Sequence, residues 1–249
     1  MSGEPIKPRG RDAVSAQAGG TVPQAQTSTS EDIAAFVAKA RAMSPHAPGA
    51  KGRLIFALDA TMSRQPTWDM ACALQAEMFR EAAALGSLDI RLVYYRGFSE
   101  CRATGWISDS SELARLMGKI DCRGGKTQIG KILGEARRNA TAEGIRAVVF
   151  VGDAMEESVD ELCARAGELG LLKVPLFMFQ EGHDPAAEQA FREMARLSGG
   201  AWCRFDPGAA AQLRDLLRAA AAYAAGGREA LRRLAAAESG AALLLGQMT

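Results

Sequence analysis

Short, wholly apolar runs alternate along this chain with segments whose apolar residues recur at helical spacing. Arg53-Leu-Ile-Phe-Ala-Leu-Asp59 is apolar throughout its interior, as a strand buried on both faces of a parallel sheet would be. Across about 67–85, Trp68, Cys72, Leu74, Met78, Phe79 and Ala82 recur every three or four positions and predict a helix. Asp89-Ile-Arg-Leu-Val-Tyr-Tyr95 predicts a second strand. Residues 101–107 predict a third, close enough to form an antiparallel hairpin through Arg96-Gly-Phe-Ser99. Helices follow at about 110–119 and 127–142, joined by Asp121-Cys-Arg-Gly-Gly-Lys-Thr127. Arg146-Ala-Val-Val-Phe-Val-Gly-Asp153 carries the strongest strand pattern, and a helix over about 157–169 leads to the strand Val174-Pro-Leu-Phe-Met-Phe179. A helix over about 185–197 stops at Gly199-Gly200, before a strand at Ala201-Trp-Cys-Arg-Phe205. An Ala-rich helix over about 208–225 presents Leu213, Leu216, Leu217 and Tyr223 as a stripe. This alternation predicts an α/β domain, doubly wound, with a mostly parallel sheet of about six strands and helices on both faces.

The flanks read differently. Residues 1–30 are rich in Gly, Pro, Ser, Thr and Gln and bury too little apolar surface to repay ordering. Ser30 then caps a short helix carrying Ile33, Phe36, Val37 and Ala40, which ends before Pro45. At the other end Gly226-Gly227 interrupts the pattern before a final helix over about 228–238, whose apolar positions suit packing back or meeting a partner equally. The expected division is a mobile N-terminal arm with a short helix (1–49), one α/β domain (50–225), and a C-terminal helix and tail (226–249).

Composition removes several function classes. Thirty basic residues against 29 acidic ones give a net charge of +1, which leaves no electrostatic footprint for nucleic acid or an anionic membrane. No apolar run approaches the ~20 residues that span a bilayer, and the first thirty residues lack the apolar core of an export signal. The five cysteines are odd in number, widely spaced and free of any C-x-x-C pair, so neither a disulfide framework nor a zinc ribbon is expected. Reduced thiols and a cytoplasmic location are expected. Gly125-Lys126-Thr127 resembles the end of a P-loop, but Ile120 stands where that pattern needs glycine, and the segment follows a helix. His46 and His183 have no acidic neighbour with which to build a catalytic triad.

Chemistry concentrates at strand ends. Asp59-Ala-Thr61-Met-Ser63 directly follows the first strand, Thr127 opens a helix, and Asp153 ends the strongest strand. Ligands of doubly wound sheets bind beyond the carboxyl ends of the strands, where strand order reverses. The first strand and the one ending at Asp153 should flank that crevice, with the helix from Thr127 leading into it. Carboxylates and hydroxyls are hard oxygen donors that suit Mg²⁺, Mn²⁺ or Ca²⁺ better than zinc or copper. Two aspartates neutralise a divalent ion, and three hydroxyls coordinate it without excess negative charge. The following stretch, Asp153-Ala-Met-Glu-Glu157, reads as the solvated, acidic start of the next helix.

Together these residues resemble the metal-ion-dependent adhesion site of von Willebrand factor type A domains, whose motif is D-x-S-x-S, a threonine and an aspartate. The resemblance covers about 53–225. It implies a Rossmann-like sheet of order 3-2-1-4-5-6 with one antiparallel edge strand. Thr61, Ser63 and Thr127 would serve as hydroxyl ligands, and Asp59 and Asp153 would bind directly or through water. Thr61 departs from the usual first serine, and Ala154 stands where glycine often follows the second aspartate. The resemblance further implies a binding module with no enzymatic activity, whose ion takes an Asp or Glu from a protein partner. The alternative is a Mg²⁺-dependent phosphatase of haloacid-dehalogenase type with Asp59 as nucleophile and Asp153, with Glu156 or Glu157, on the metal. It is weakened because the position two residues on, where such enzymes carry an acid, is Thr61.

Overall fold

The computed structural model describes residues 52–64, 68, 88–205 and 210–248. Its sheet has six strands: β1 (Gly52–Asp59), β2 (Leu88–Arg96), β3 (Glu100–Ile107), β4 (Ala147–Gly152), β5 (Leu176–Glu181) and β6 (Ala201–Phe205). They lie in the order β3-β2-β1-β4-β5-β6, as anticipated. Every neighbouring pair is parallel except β2 with β3, which form the antiparallel hairpin at one edge. β3 is an edge strand, and its exposed positions include Arg102, a charged residue of the kind that discourages pairing with another chain.

The apolar runs are continuous because the sheet is covered twice. Leu54, Phe56 and Leu58 of β1 enter one core with Val149, Val151, Phe177 and Phe179. Ile55 and Ala57 enter the other with Val148, Phe150 and Met178. On the second face lie α2 (Ile129–Glu143), α3 (Val159–Leu171) and α4 (Pro185–Ser198), which contribute Ile132, Leu133, Leu162, Phe191 and Met194. The first face is covered by α1 (Ser110–Met117), α5 (Ala210–Ala235) and α6 (Ser239–Gln247). Of the helix predicted over about 67–85, Trp68 alone is described; it is helical and buried in that first core. The short helix predicted before Pro45 falls outside the described residues.

Two differences from the sequence reading have physical causes. The strand predicted at 174–179 runs two residues further and ends on Gln180 and Glu181, whose polar side chains broke the apolar pattern although both are buried. The C-terminal segment also continues beyond the predicted helix. Gly227, with φ 67° and ψ −160°, turns the chain inside α5 in a conformation that L-residues avoid. After it α6 folds back, burying Ala241 and Leu244 in the first core. The Gln247 side-chain Oε1 accepts from Trp202 N at 2.8 Å, and Arg218 reaches Glu238 at 2.8 Å. None of the described helices is long and apolar enough to cross a membrane. Because Leu244 is fully buried, Leu244→Ala is expected to destabilise the whole domain by about 2–4 kcal/mol in urea unfolding.

Candidate metal centre

β1 delivers Asp59 to the carboxyl edge of the sheet, and the carboxylate then shapes the turn that follows. Its Oδ1 accepts from Thr61 N at 2.7 Å, and its Oδ2 accepts from the Tyr95 hydroxyl of β2 at 2.9 Å. This aspartate turn carries the chain into a single 3-10 turn, Met62–Arg64, closed by Arg64 N donating to Thr61 O at 3.1 Å. The Thr61 and Ser63 hydroxyls thereby come to 3.1 Å from each other. Asp59 is wholly buried. Burial pushes its carboxyl up to about 6, further raised by Asp153, against the opposing pull of the Thr61 and Tyr95 hydrogen bonds.

The second segment, Gly124–Thr127, is fastened on both sides. Arg123 N donates to Ala60 O at 3.0 Å, and Thr61 and Arg123 form an isolated parallel bridge. Gly125 lies flat against the β2–β3 turn, where a Cβ would stand 2.0 Å from the Gly97 carbonyl oxygen. Lys126 N and the Gln128 amide both donate to that oxygen at 3.1 Å, and Lys131 Nζ donates to Ser99 O at 2.8 Å. Phe98, between these anchors, is 77% exposed.

The third segment follows β4. Gly152 faces the Asp59 Cβ, and a side chain there would run into the Phe150 ring. Thr127 and Glu156 then exchange hydrogen bonds: Glu156 N donates to Thr127 Oγ1 at 3.0 Å and Thr127 N donates to the Glu156 carboxylate at 3.2 Å. Glu157 accepts from Ile129 N and from Gly130 N, the latter at 2.9 Å. Residues 153–157 are therefore not the solvated start of the next helix. That helix begins at Val159 behind the cap Ser158, and the two glutamates turn instead toward the N-terminus of α2. The cause is a deficit: Gln128, at the N-cap of α2, makes no capping bond, so its first N–H groups need acceptors from elsewhere.

Thr61, Ser63 and Thr127 line one cleft of about 210 Å³, together with Met62, Gly124, Gly125, Ala154 and Glu156. Asp59 lies behind it, bonded to Thr61 N. Asp153 is half-buried, and its Oδ1 is enclosed without a hydrogen-bond partner among the described residues. An enclosed carboxylate oxygen with no donor is costly unless a cation answers it. Among the described residues no three His, Cys, Asp or Glu side chains are grouped to hold a metal, so a cation here depends on the hydroxyls. Hard oxygen donors and an unanswered carboxylate fit a divalent ion of the Mg²⁺ or Mn²⁺ kind.

Sequence reading missed Tyr95, Arg64 and Glu181, and named Glu156 only in the phosphatase alternative. Tyr95 and Glu156 are bonded to predicted site residues. Arg64 and Glu181 are buried and form an ion pair with each other. Burial lowers the Arg64 pKa, while Asp59 and Asp153 work to hold its charge. An arginine directly after Ser63 was visible as a residue, but nothing local signals that it is buried.

No family model and no curated protein matches this sequence. Solved structures do match in fold. A von Willebrand factor type A protein from Catenulispora acidiphila superposes with a TM-score of 0.55 at 18% identity, over 70% of this chain and 43% of that one. The SpRpn10 VWA domain gives 0.52 at 12% identity, over 64% and 89%. The vWF domain of the type V pilus tip protein Mfa5 from Porphyromonas gingivalis gives 0.52 at 11%, over 69% and 95%. The chain thus spans less than half of the first of these proteins, and the likeness is one of fold.

The raised Asp59 pKa has a definite sign. In the metal-free fold the carboxyl holds its proton more tightly than the ordinary 3.8, so its ionisation costs stability as pH rises through about 4 to 6, and the full cost persists above that window. Asp59→Asn is therefore expected to raise stability in chelator at about pH 7.5, by on the order of 2–3 kcal/mol, and to leave it unchanged near pH 4. Thermal melting of both proteins at the two pH values measures this.

Proposed function

We propose that this chain is a divalent-metal-dependent protein-binding module of von Willebrand factor type A kind. In this reading the Thr61, Ser63 and Thr127 hydroxyls hold a Mg²⁺ or Mn²⁺ ion at the cleft, with Asp59 and Asp153 behind it, bound directly or through water. The observation that carries the reading is the convergence of three hydroxyls from two separate loops on one cleft, beside the unanswered Asp153 oxygen. Two carboxylates neutralise the ion, and a coordination position left open toward solvent takes an Asp or Glu side chain from a protein partner. The surroundings suit such a contact. Met62, 55% exposed, lines the cleft, and Phe98 stands on the hairpin bonded to its rim, so apolar surface adjoins the acidic anchor point. Similarity in fold to the vWF domain of a pilus tip protein adds to the case by analogy.

The phosphatase alternative needs Asp59 to reach a phosphorus atom in line with a leaving group. Its carboxylate is wholly buried, both oxygens accept hydrogen bonds, and it does not line the cleft. Thr61, two residues on, offers no acid for the leaving group.

Mg²⁺ or Mn²⁺ at a hundredfold excess over Kd should stabilise the protein by about 2.7 kcal/mol. For a domain of this size that is a rise of roughly 5–10 °C in Tm, reversed by chelator. Thr127→Val and Asp59→Ala are expected to abolish the rise. Melting indifferent to metal in the unaltered protein would sink the reading. Metal-dependent hydrolysis of p-nitrophenyl phosphate, lost in Asp59→Ala, would favour the phosphatase.

A further inference from the structure

Arg64 closes the turn that carries Thr61 and Ser63, and it is completely buried. Its guanidinium pairs with the Glu181 carboxylate, which is itself only 6% exposed. The path of this pair through the fold is informative. Glu181 ends β5, and β5 lies beside β4 with Gln180 opposite Gly152. Glu181 and Asp153 are therefore the next residues along two adjacent strands. Arg64 starts from the far side, after β1, and β4 lies between β1 and β5. Its side chain reaches from the turn after β1 to the end of β5, and Asp59 and Asp153 both interact with its charge.

A buried cation beside a cation site is unfavourable unless it is offset. Asp59 and Asp153 supply two negative charges, and Arg64 alone would cancel one of them. Glu181 restores it. The set of Asp59, Asp153, Glu181 and Arg64 is left with two uncompensated negative charges, the number that one divalent ion neutralises, while Glu157, half-buried like Asp153, is engaged by the N–H groups of α2. Glu156 stands at the exposed rim, where water screens it.

We infer that the Arg64–Glu181 pair sets the net charge of this site, with Glu181 acting at a distance to preserve affinity for a divalent ion that Arg64 would otherwise repel. The inference rests on the metal-binding reading above. Both are positioning residues, since neither lines the cleft.

Calorimetric titration of the full chain with Mn²⁺ at neutral pH tests it, with circular dichroism to identify folded variants. Glu181→Gln is expected to weaken Mn²⁺ binding by ~10-fold or more, and Arg64→Gln to strengthen it by a similar factor. Glu181→Asp, which keeps the charge, and the double variant Arg64→Gln/Glu181→Gln should both stay within about threefold of the unaltered protein. The single variants act in opposite directions, so either one, if folded, decides the sign. A folded Glu181→Gln that binds Mn²⁺ within about threefold of the unaltered protein overturns the inference while leaving the metal reading intact. If the unaltered protein takes up no Mn²⁺ but Arg64→Gln does, the metal reading fails for the natural chain and the role of Arg64 stands. Silence in every variant overturns both.

Discussion

The organisation of the carboxyl edge of this sheet depends on one buried carboxylate. Asp59 is held where β1 ends, and its two oxygens do different work: one accepts the amide that bends the chain into a turn, the other ties that turn to Tyr95 of the neighbouring strand. Without the first bond the Thr61 amide would be a buried donor without a partner, and such orphans are costly enough to reorganise a loop. The turn in turn sets the spacing of the Thr61 and Ser63 hydroxyls. Ionisation of so buried a group is unfavourable, and burial accordingly raises the Asp59 pKa.

The remaining two segments are positioned by the same kind of accounting of backbone partners. The loop before α2 satisfies itself on the Gly97 carbonyl and on Ala60, which fixes the distance between the hairpin, the first turn and Thr127. The α2 N-terminus, lacking a side-chain cap of its own, draws Glu157 toward it, and Thr127 and Glu156 close the join. Each contact repairs an unsatisfied group at a strand or helix end. Their sum is a cleft whose Thr61, Ser63 and Thr127 hydroxyls are engaged by hydrogen bonds within the protein.

Beneath this edge the sheet is ordinary in its energetics and demanding in its geometry. Two apolar cores meet at a single layer of strands, and α6 completes one of them. The buried arginine, like Asp59 and Glu181, departs from an apolar interior. Its cost is tolerable because Glu181 answers it and because two further carboxylates lie near, an arrangement of compensating charges in place of a simple ion pair.

Much of this was legible in the chain. Strands buried on both faces must be apolar at every position, so β1 and β4 announced themselves. Helices covering a sheet must repeat at helical spacing, and the resulting alternation pointed to a mostly parallel sheet, while the strand order was what the family resemblance implied. The oxygen-bearing residues Asp59, Thr61, Ser63, Thr127 and Asp153 stood out because they sit where apolar runs stop. What local pattern could not carry was the pairing of residues far apart in sequence. That Arg64 is buried, that Glu181 ends a strand beside Asp153, and that Glu156 and Glu157 serve the helix before them instead of the one after are consequences of neighbours supplied by other elements. Periodicity reports which face of an element is apolar; only the assembled sheet decides which charges meet across it.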